Sequence, residues 1–476
     1  MYYRLLNGAY VVRNDDKYVI HHVSYGDLCR IDEKAKEVVF RLAQEEGVLE
    51  KLSQEDKLMA QVLIEQNFLV SCRRPLSYKI LDNPDELRKE YIVWFKDVTY
   101  LIVKVTNRCN LGCKYCHENA NMDREDMTLD LFCNLVNKVL KSTKHNKISI
   151  LLFGGEPTLM PLEWYMEALK HVREAEELFE KKVTILLQSN FIKVSAEKLR
   201  LFRDAGIKLS TSIDNPINPL SSYRPLANEV IKTCIAAQNM GFEVGVILTI
   251  NKTNINDISS ICHWMADNLG KIRFKANVMH PVGSGETTVA LSSKEIFEAQ
   301  KNILTYMIKT EGRELVERNL AEEIVRFFEN HLQDKEPKKP AMGCCAKNCG
   351  AGKTLLSVEP NGDIYPCARL SDDIEYLLGN VNNYGLDSSN VNNFFNRANQ
   401  FHNVNQEIWQ KCQSCSAKTI CSYGCKAFII RSKTKENIEC KPTLLRFAFY
   451  QENKDALRKV YETYVSQNRN KREGSF

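Results

Sequence analysis

From Tyr100 onward, short apolar runs alternate with longer stretches in which apolar residues recur at helical spacing. The apolar runs predict strands at Leu101–Thr106, Ile148–Phe153, Val183–Gln188, Lys208–Ile213, Glu243–Ile250 and Lys271–Asn277. The stretches between them predict helices, among them Leu129–Leu140, Leu162–Leu178, Ala196–Ala205, Glu229–Met240 and Asp257–Asn268. Strand-then-helix units in such succession predict an α/β fold with a parallel sheet and right-handed crossovers, here a partial (β/α)6 barrel of the TIM type. The chemistry of such a barrel lies at the C-terminal ends of its strands.

The first 92 residues show a different pattern, which predicts a separate N-terminal module. Two β-rich runs, Leu5–Arg13 and Lys17–Val23, flank Asn14-Asp15-Asp16 and predict a hairpin. The rest of the module is predicted to hold two amphipathic helices and a short closing strand, near Glu33–Glu46, Gln54–Asn67 and Phe68–Ser71.

Beyond the predicted barrel, a long helical stretch over about Ser293–Gln333 leads to a charged, proline-containing boundary at Lys335–Pro340. Residues 341–441 contain many cysteines and few long periodic segments, which is typical of a region where metal replaces a hydrophobic core. The chain after Thr443 is predicted to be a helix with a polar tail. We therefore predict units with the boundaries 1–92, 97–330, 341–441 and 442–476.

The chain has 476 residues and a net charge of +5, which is small for this length and gives no reason to expect a nucleic-acid partner. No apolar run approaches the roughly 20 residues needed to cross a bilayer. The N-terminus lacks the basic and apolar segments of a signal peptide. We therefore expect a cytoplasmic protein with no membrane association.

Cysteine is the unusual feature of the composition, with 17 in the chain. Because the cytosol keeps thiols reduced, metal ligation is a better interpretation than disulfides. Cysteines that stand alone are expected to be buried small hydrophobic residues, and these are Cys29, Cys72, Cys133, Cys234 and Cys262. The others form a tight cluster near residue 110 and a second field from residue 344 to residue 440.

The first cluster, Cys109-x3-Cys113-x2-Cys116, comes directly after the first predicted barrel strand. Three thiolates from one loop bind three irons of a cubane cluster and leave the fourth iron open for another ligand. A zinc loop is the alternative for three cysteines alone. The position after the first strand, together with Tyr115 before the last cysteine, favours the iron–sulfur cluster.

This stretch resembles the radical SAM superfamily, whose members cleave S-adenosylmethionine (SAM), and the resemblance continues along the chain. Phe153-Gly154-Gly155-Glu156-Pro157 is similar to the family motif that binds the amino group of the methionine moiety. Gln188-Ser189-Asn190 and Ser212-Ile213-Asp214 are similar to two further motifs, although Phe191 and Asn215 stand where the family has glycine. The resemblance implies SAM contacts by Tyr115, Gly154, Gly155, Glu156, Gln188, Asn190, Ser212 and Arg224.

Some residues near these motifs also have interpretations that involve no contact with SAM. Arg224 matches an arginine that contacts the ribose and carboxylate end of SAM in one subfamily, and its alternative is a surface arginine. Thr249 and Asn251 are expected to line the same barrel mouth. His117 is interpreted as a solvated residue rather than as a hydrogen-bond partner of the cluster. No residue is assigned as a general acid or base.

The second cysteine field resembles the SPASM domain, a C-terminal extension of some radical SAM enzymes that holds two auxiliary [4Fe–4S] clusters. The resemblance implies interleaved ligation, with auxiliary cluster I on Cys349, Cys367 and Cys425 and on Cys345 or, alternatively, Cys344. If neither of the last two binds, an open iron remains for a substrate thiolate. Auxiliary cluster II is implied on Cys412, Cys415, Cys421 and Cys440. Zinc ribbons are the alternative.

With SAM and three [4Fe–4S] clusters, the resemblance implies that the reduced cluster on Cys109, Cys113 and Cys116 cleaves SAM to methionine and a 5′-deoxyadenosyl radical. That radical takes a hydrogen atom from the substrate, and the auxiliary clusters accept an electron or bind a thiolate. An electron donor such as flavodoxin or ferredoxin is implied, as are anaerobic conditions.

The N-terminal module resembles, in topology, the winged-helix domain with which maturases of ribosomal peptides bind a leader peptide by strand addition. No motif supports this resemblance, and a plain structural extension is the alternative. We therefore expect a maturase that forms a thioether or another cross-link in a precursor peptide. One alternative is an anaerobic sulfatase-maturing enzyme that makes formylglycine. An alternative of another class is a non-catalytic iron–sulfur or zinc scaffold.

Overall fold

A computed structural model describes most of the chain. The described residues are 2–5, 9–14, 17–22, 26–66, 68–72, 80, 95–118, 122–270, 272–280, 290–332, 349–371, 373–382, 412, 414–421, 424–431 and 437–473. None of the described helices is both long and apolar enough to cross a membrane.

The described residues of the N-terminal module form five strands and three helices. They are β1 (Tyr2–Leu5), β2 (Ala9–Asn14), β3 (Lys17–His22), β4 (Gly26–Ile31), α1 (Glu33–Gln44), α2 (Val48–Lys51), α3 (Gln54–Glu65) and β5 (Leu69–Cys72). Strands β2, β3 and β4 form an antiparallel sheet in that order, and β1 pairs antiparallel with β5. The predicted hairpin is confirmed as β2–β3, with Asn14 opposite Lys17.

Two details of this module differ from the prediction. The run Leu5–Arg13 is not one strand, because it is divided between β1 and β2, which belong to different sheets. Strand β4 was not predicted, since its sequence opens with Gly26 and Asp27, two residues that are rare in strands. The predicted helices are present. Asp32 and Ser53 are their N-cap residues, whose side chains accept hydrogen bonds from the backbone of the first turn.

The module has a hydrophobic core of its own. Apolar side chains from the strands and from α1 and α3 form it, and they include Leu5, Val11, Ile20, Ile31, Val38, Val39, Leu42, Ala60, Leu63 and Leu69. This cluster is separate from the main core of the chain. The module therefore has the internal packing of a small domain.

The predicted parallel sheet is confirmed. Its strands are β6 (Tyr100–Thr106), β7 (Lys147–Gly154), β8 (Lys182–Gln188), β9 (Lys208–Ser212), β10 (Gly245–Ile250) and β11 (Ile272–Val278), and neighbours in the chain pair in parallel. The intervening helices are α4 (Leu129–Ser142), α5 (Leu162–Phe179), α6 (Ala196–Asp204), α7 (Ala227–Asn239) and α8 (Ile258–Leu269). Alternate strand residues are buried in the main core, and those between them are half-buried on the other face.

The predicted helix Ser293–Gln333 is wrong as a single element. The structure divides it into α9 (Ser293–Lys309), β12 (Leu315–Glu317) and α10 (Arg318–Arg326), with a π-helical turn at Phe327–His331. Gly312 ends α9, because it has a φ of +66° and donates its backbone N–H to the carbonyl of Met307. The short strand β12 then adds to the sheet, parallel to β11.

The cysteine-rich region is joined to the barrel through the same sheet. Strand β13 (Leu355–Val358) pairs in parallel with β6, and β14 (Asp363–Tyr365) and β15 (Gly379–Asn380) continue the sheet antiparallel. The sheet order is β12-β11-β10-β9-β8-β7-β6-β13-β14-β15. The predicted division into units at residue 341 stays a prediction, although this sheet crosses it.

Three helices complete the described chain: α11 (Lys426–Arg431), α12 (Cys440–Glu452) and α13 (Lys454–Glu473). Arg446 of α12 is buried and binds both carboxylate oxygens of Glu323 on α10, each at 2.8 Å. Paired in this way, the buried charges anchor the C-terminal helices to the end of the barrel. Among the single cysteines, Cys234 and Cys262 are fully buried as predicted, whereas Cys29 and Cys133 are half-buried.

Candidate active site

The first cysteine cluster lies in the loop that follows β6. Cys109, Cys113 and Cys116 are each half-buried. Cys109 and Cys116 lie close enough to Cys113 for their charges to raise its pKa. Burial raises the pKa of the Cys113 thiol to about 11, against the opposing charge of Arg224. Such a thiol becomes a thiolate at neutral pH when a metal takes the place of its proton. The loop therefore fits a metal cluster held by three thiolates.

Gly154 and Gly155 bring this loop against the end of β7. The backbone N–H of Gly155 donates to the carbonyl of Thr106 at 2.9 Å, and that of Glu156 donates to Arg108 at 2.7 Å. A Cβ atom on Gly155 would lie 2.2 Å from the carbonyl oxygen of Arg108, and one on Gly154 would lie 2.0 Å from that of Thr106. These glycines therefore permit a close approach of two protein segments, and their contact with SAM stays a prediction.

Glu156 links the ends of β7 and β8. Its side chain is buried, and Oε1 accepts hydrogen bonds from the backbone and hydroxyl of Thr158 and from the hydroxyl of Ser189. Oε2 accepts from the backbone N–H of Asn190 at 2.6 Å. Because these donors occupy the carboxylate, the structure favours a backbone carbonyl over this side chain as the acceptor for an amino group.

The end of β8 contacts the cysteine loop. The side-chain amide of Asn190 donates to Oδ1 of Asn110 at 2.8 Å and lies 3.9 Å from Sγ of Cys109. Gln188, the last residue of β8, is half-buried. Phe191 is buried and has a φ of +60°, so the backbone keeps a left-handed conformation that favours glycine.

A third contact joins the end of β9 to the cysteine loop. The hydroxyl of Tyr115 donates to Oδ2 of Asp214 at 2.5 Å, and Nε of Arg224 donates to the same hydroxyl at 3.3 Å. Burial raises the pKa of Asp214, and the Arg224 charge opposes that effect. Ser212 is buried two residues before Asp214. The structure thus brings Tyr115 and Arg224 together, with Asp214 as a contact that the predicted site did not include.

Two other positions have structural roles. Asn215 accepts hydrogen bonds at Oδ1 from the backbone of Ile217 and Asn218, which shapes the loop after β9. Asn251 is fully buried, and its Oδ1 accepts from the backbone and hydroxyl of Thr253. The expectation that Asn251 lines the barrel mouth is therefore wrong, because its side chain is used within a turn.

A buried ionic cluster next to this site was missed by the sequence analysis. Lys104 of β6 is 2% exposed, and its ammonium contacts the carboxylates of Glu118 and Glu359 and the hydroxyl of Ser371. Burial alone would lower the pKa of Lys104, but the two carboxylates raise it above its ordinary value. Nε2 of His117 lies 2.8 Å from Oε1 of Glu118, and its side chain is 31% exposed, so this residue is partly solvated. The available signal was a lysine inside an apolar strand.

The cysteines expected to hold auxiliary cluster I lie together as far as they are described. Burial raises the pKa of the Cys367 thiol. Cys425 and Cys349 lie close enough for their charges to raise it further. All three side chains are half-buried beside a small apolar cluster. Cys344 and Cys345 lie outside the described residues.

For auxiliary cluster II, the charges of Cys440 and Cys415 act on Cys412, and burial contributes most to raising the pKa of that thiol. Cys421 ends a turn that begins at Ala417, because its backbone N–H donates to the carbonyl of Ala417. Within the described residues, no group of three or more His, Cys, Asp or Glu side chains is arranged to bind a single metal ion. A cubane takes its thiolates one at each iron.

Comparison with known proteins identifies two domains at these sites. The model of the radical SAM superfamily matches residues 103–265, and that of SPASM, an iron–sulfur cluster-binding domain, matches residues 349–416. The chain contains a radical SAM domain and a SPASM domain. The predicted recognition is confirmed, and with it the cofactor classes, SAM and [4Fe–4S] clusters including auxiliary ones.

Relatives of this radical SAM enzyme include the serine-type anaerobic sulfatase-maturating enzyme of Bacteroides thetaiotaomicron, 24% identical over 60% of this chain and 73% of the relative. Native anSMEcpe with bound AdoMet and the Cp18Cys peptide has a similar structure, with a TM-score of 0.63, 17% identity and coverage of 77% of this chain and 99% of that one. SuiB of Streptococcus suis bound to the precursor peptide SuiA has a TM-score of 0.51, 15% identity and coverage of 91% and 98%.

Proposed function

We propose that this enzyme is a peptide maturase that oxidatively cross-links a ribosomally made precursor peptide, with a thioether as the first candidate bond. When bound, SAM and its cluster supply a carbon-centred radical that removes a hydrogen atom from the substrate. The N-terminal module is the feature that favours a peptide substrate over a small molecule. It has a sheet, helices and a core of its own, as expected of a separate binding domain.

In this proposal, Cys109, Cys113 and Cys116 hold the SAM cluster at the end of β6. Tyr115, Gly154, Gly155, Glu156, Gln188, Asn190, Ser212 and Arg224 surround SAM. The hydrogen bonds between Tyr115 and Asp214 and between Glu156 and the β8 end support this arrangement, because they gather the three strand ends around the cysteine loop.

The C-terminal region holds the two auxiliary clusters in this proposal. Cys349, Cys367 and Cys425 bind cluster I together with Cys345 or Cys344, and Cys412, Cys415, Cys421 and Cys440 bind cluster II. The mutual charge effects within each described set support the two groupings. A flavodoxin or ferredoxin supplies the electrons, and the reducing cytoplasm preserves the thiolates.

The leader of the precursor peptide is proposed to add as a strand to the three-stranded sheet of the N-terminal module. In the order β2-β3-β4, the strands β2 and β4 stand at the edges, where backbone groups pair with an incoming peptide. A likeness to SuiB that extends over 91% of this chain, against 77% for anSMEcpe, supports a role for the part outside the barrel and the SPASM domain.

Hydrogen exchange of the full-length protein tests this leader site. Addition of the precursor peptide is expected to slow exchange in β4 or β2, and a peptide with a scrambled leader is the control. Equal protection by both peptides, or protection confined to the barrel, would exclude strand addition to this module.

Formation of formylglycine is the second candidate, and the likeness to sulfatase-maturating enzymes supports it. The two reactions differ in their products. After co-expression with the candidate peptide, a thioether or other cross-link gives a peptide lighter by two hydrogens that does not react with a hydrazide. Formylglycine gives an aldehyde that the hydrazide traps, and that result would replace the first proposal by the second.

A further inference from the structure

Two cationic side chains lie against the cysteines assigned to auxiliary cluster I. Nη1 of Arg369 donates to Sγ of Cys425 at 3.3 Å, and the backbone N–H of Arg369 donates to the Cys367 thiol. Burial lowers the pKa of the half-buried Lys426, and Cys349 lies close enough for the charge of its thiolate to oppose that effect. Each of the three described thiols therefore has a hydrogen-bond donor or a positive charge beside it.

Aromatic packing holds Arg369 in this position. Its guanidinium lies 4.3 Å from the ring centre of Phe428, and the His280 ring stacks on Phe428 at 3.4 Å between centres and 18° between planes. His280 follows the C-terminal end of β11, where the barrel opens. Burial and the Arg369 charge lower the pKa of His280 to about 3, so this ring is neutral and Arg369 carries the charge of the stack.

Positive charges and donors beside a cluster affect its reduction. Reduction adds a negative charge to a cluster, and cations or donors at its sulfurs stabilise that charge most strongly where water is excluded. The donors and charges beside Cys349, Cys367 and Cys425 therefore favour the reduced state of a cluster bound there.

We propose that Arg369, assisted by Lys426, raises the reduction potential of auxiliary cluster I and so favours this cluster as the electron acceptor for the oxidised substrate. This inference rests on the proposed function, which assigns both clusters. Arg369 is a positioning and charge-stabilising residue, and its packing on Phe428 keeps it beside Cys425.

The electron and proton balance of the step is complete. When a thiol and a C–H group of the peptide form a thioether, one hydrogen atom leaves in 5′-deoxyadenosine. The thiol proton passes to water, and the remaining electron passes to cluster I, which is reduced by one electron. An external one-electron carrier of the flavodoxin or ferredoxin class then reoxidises it.

Potentiometric titration of the reconstituted full-length protein, followed by electron paramagnetic resonance, tests the proposal. The titration uses a Cys113→Ala background, in which the SAM cluster does not contribute, with dithionite as reductant. Arg369→Gln is expected to lower the potential of one auxiliary cluster by about 59 mV or more, which is a tenfold change in its one-electron reduction equilibrium. Arg369→Lys, which keeps the charge but not the planar donor, is expected to shift it less.

Two further variants define the outcome. Lys426→Gln is expected to lower the potential of the same cluster, and it carries the test if Arg369→Gln loses iron. Arg458→Gln is the matched control. Arg458 of α13 lies over the Phe328 ring and belongs to a different packing cluster. Its two potentials are expected to equal those of the unmodified background.

Unchanged potentials in the Arg369 and Lys426 variants, or an equal shift of both clusters, would overturn the inference. The proposed function is tested separately by the iron content and the spectra of the wild-type protein. Absence of the auxiliary clusters would remove the proposed function, whereas their presence with unmoved potentials would remove this inference alone.

Discussion

The hydroxyl of Tyr115 donates a hydrogen bond to Asp214 at 2.5 Å, and this bond joins the cysteine loop after β6 to the end of β9. The two residues are 99 positions apart in the chain. Asp214 is buried and Tyr115 is half-buried, and Arg224 shares the Tyr115 hydroxyl. The bond therefore ties together three segments that are proposed to contact SAM.

Tyr115→Phe is expected to weaken SAM binding about tenfold. The substitution removes the Tyr115 donor from Oδ2 of the buried Asp214 carboxylate, which costs about 1–3 kcal/mol, and about 1.4 kcal/mol corresponds to tenfold in affinity. Equilibrium dialysis of SAM against the reconstituted protein measures the effect. Tyr306→Phe is the matched control, since Tyr306 donates to Glu314 at 2.8 Å outside the site. Equal affinities in both variants would contradict the role of Tyr115.

Gly155→Ala is expected to prevent normal assembly of the SAM cluster. The added Cβ would lie 2.2 Å from the Arg108 carbonyl, so β7 and the cysteine loop would have to separate. Iron content and visible absorbance after anaerobic reconstitution measure the result. Gly112→Ala tests the same change inside the cysteine loop, where a Cβ meets nothing within 4 Å and full cluster content is expected. Equal cluster content in the two variants would show that the close approach is not required.

Lys104→Met is expected to destabilise the protein by about 3–5 kcal/mol, because it leaves two buried carboxylates without their cation. Thermal unfolding under anaerobic conditions measures the change in midpoint. Lys144→Met removes an exposed lysine that pairs with Asp97, and it is expected to cost about 1 kcal/mol or less. A Lys104 variant as stable as the Lys144 variant would show that Glu118 and Glu359 do not need this partner.

His280 predicts a loss of stability on mild acidification. The pKa of His280 is about 3 in the folded chain, below the ordinary value of 6.5, so the unfolded chain binds a proton that the folded chain does not. Stability therefore falls as pH drops below 6.5, by about 1.4 kcal/mol per pH unit from this group. Unfolding midpoints at pH 7.5 and 5.5 measure it.

His280→Phe keeps a ring against Phe428 and cannot titrate, so its midpoint is expected to fall less between these pH values than that of the wild type. His263→Phe, at an exposed position, is expected to keep the wild-type dependence. If His280→Phe and the wild type lose the same amount, the neutral state of His280 does not contribute to stability.

Periodicity was sufficient to predict the central sheet, because each strand from β6 to β11 is a short apolar run followed by an amphipathic helix. It was insufficient for β12, which is only three residues long and lies between two helices. The short strand is stabilised by pairing with β11, and that pairing has no local signature.

Motifs located the cysteine loop and the strand ends, but not the residues that hold them together. Lys104 and Glu359 are far apart in sequence, and only the parallel pairing of β13 with β6 brings them together. Phe191 shows the opposite case, in which the sequence departs from a motif while the backbone keeps the left-handed conformation of a glycine. A single sequence contains no signal for either relationship.

Formation of 5′-deoxyadenosine from SAM by the reduced, reconstituted protein tests the central claim most directly. The wild type and Cys133→Ala, which removes a half-buried cysteine outside both cysteine fields, are expected to form it. Cys113→Ala is expected to form none above background. Formation of 5′-deoxyadenosine by Cys113→Ala at the wild-type rate would contradict the assignment of this loop as the SAM-cleaving centre.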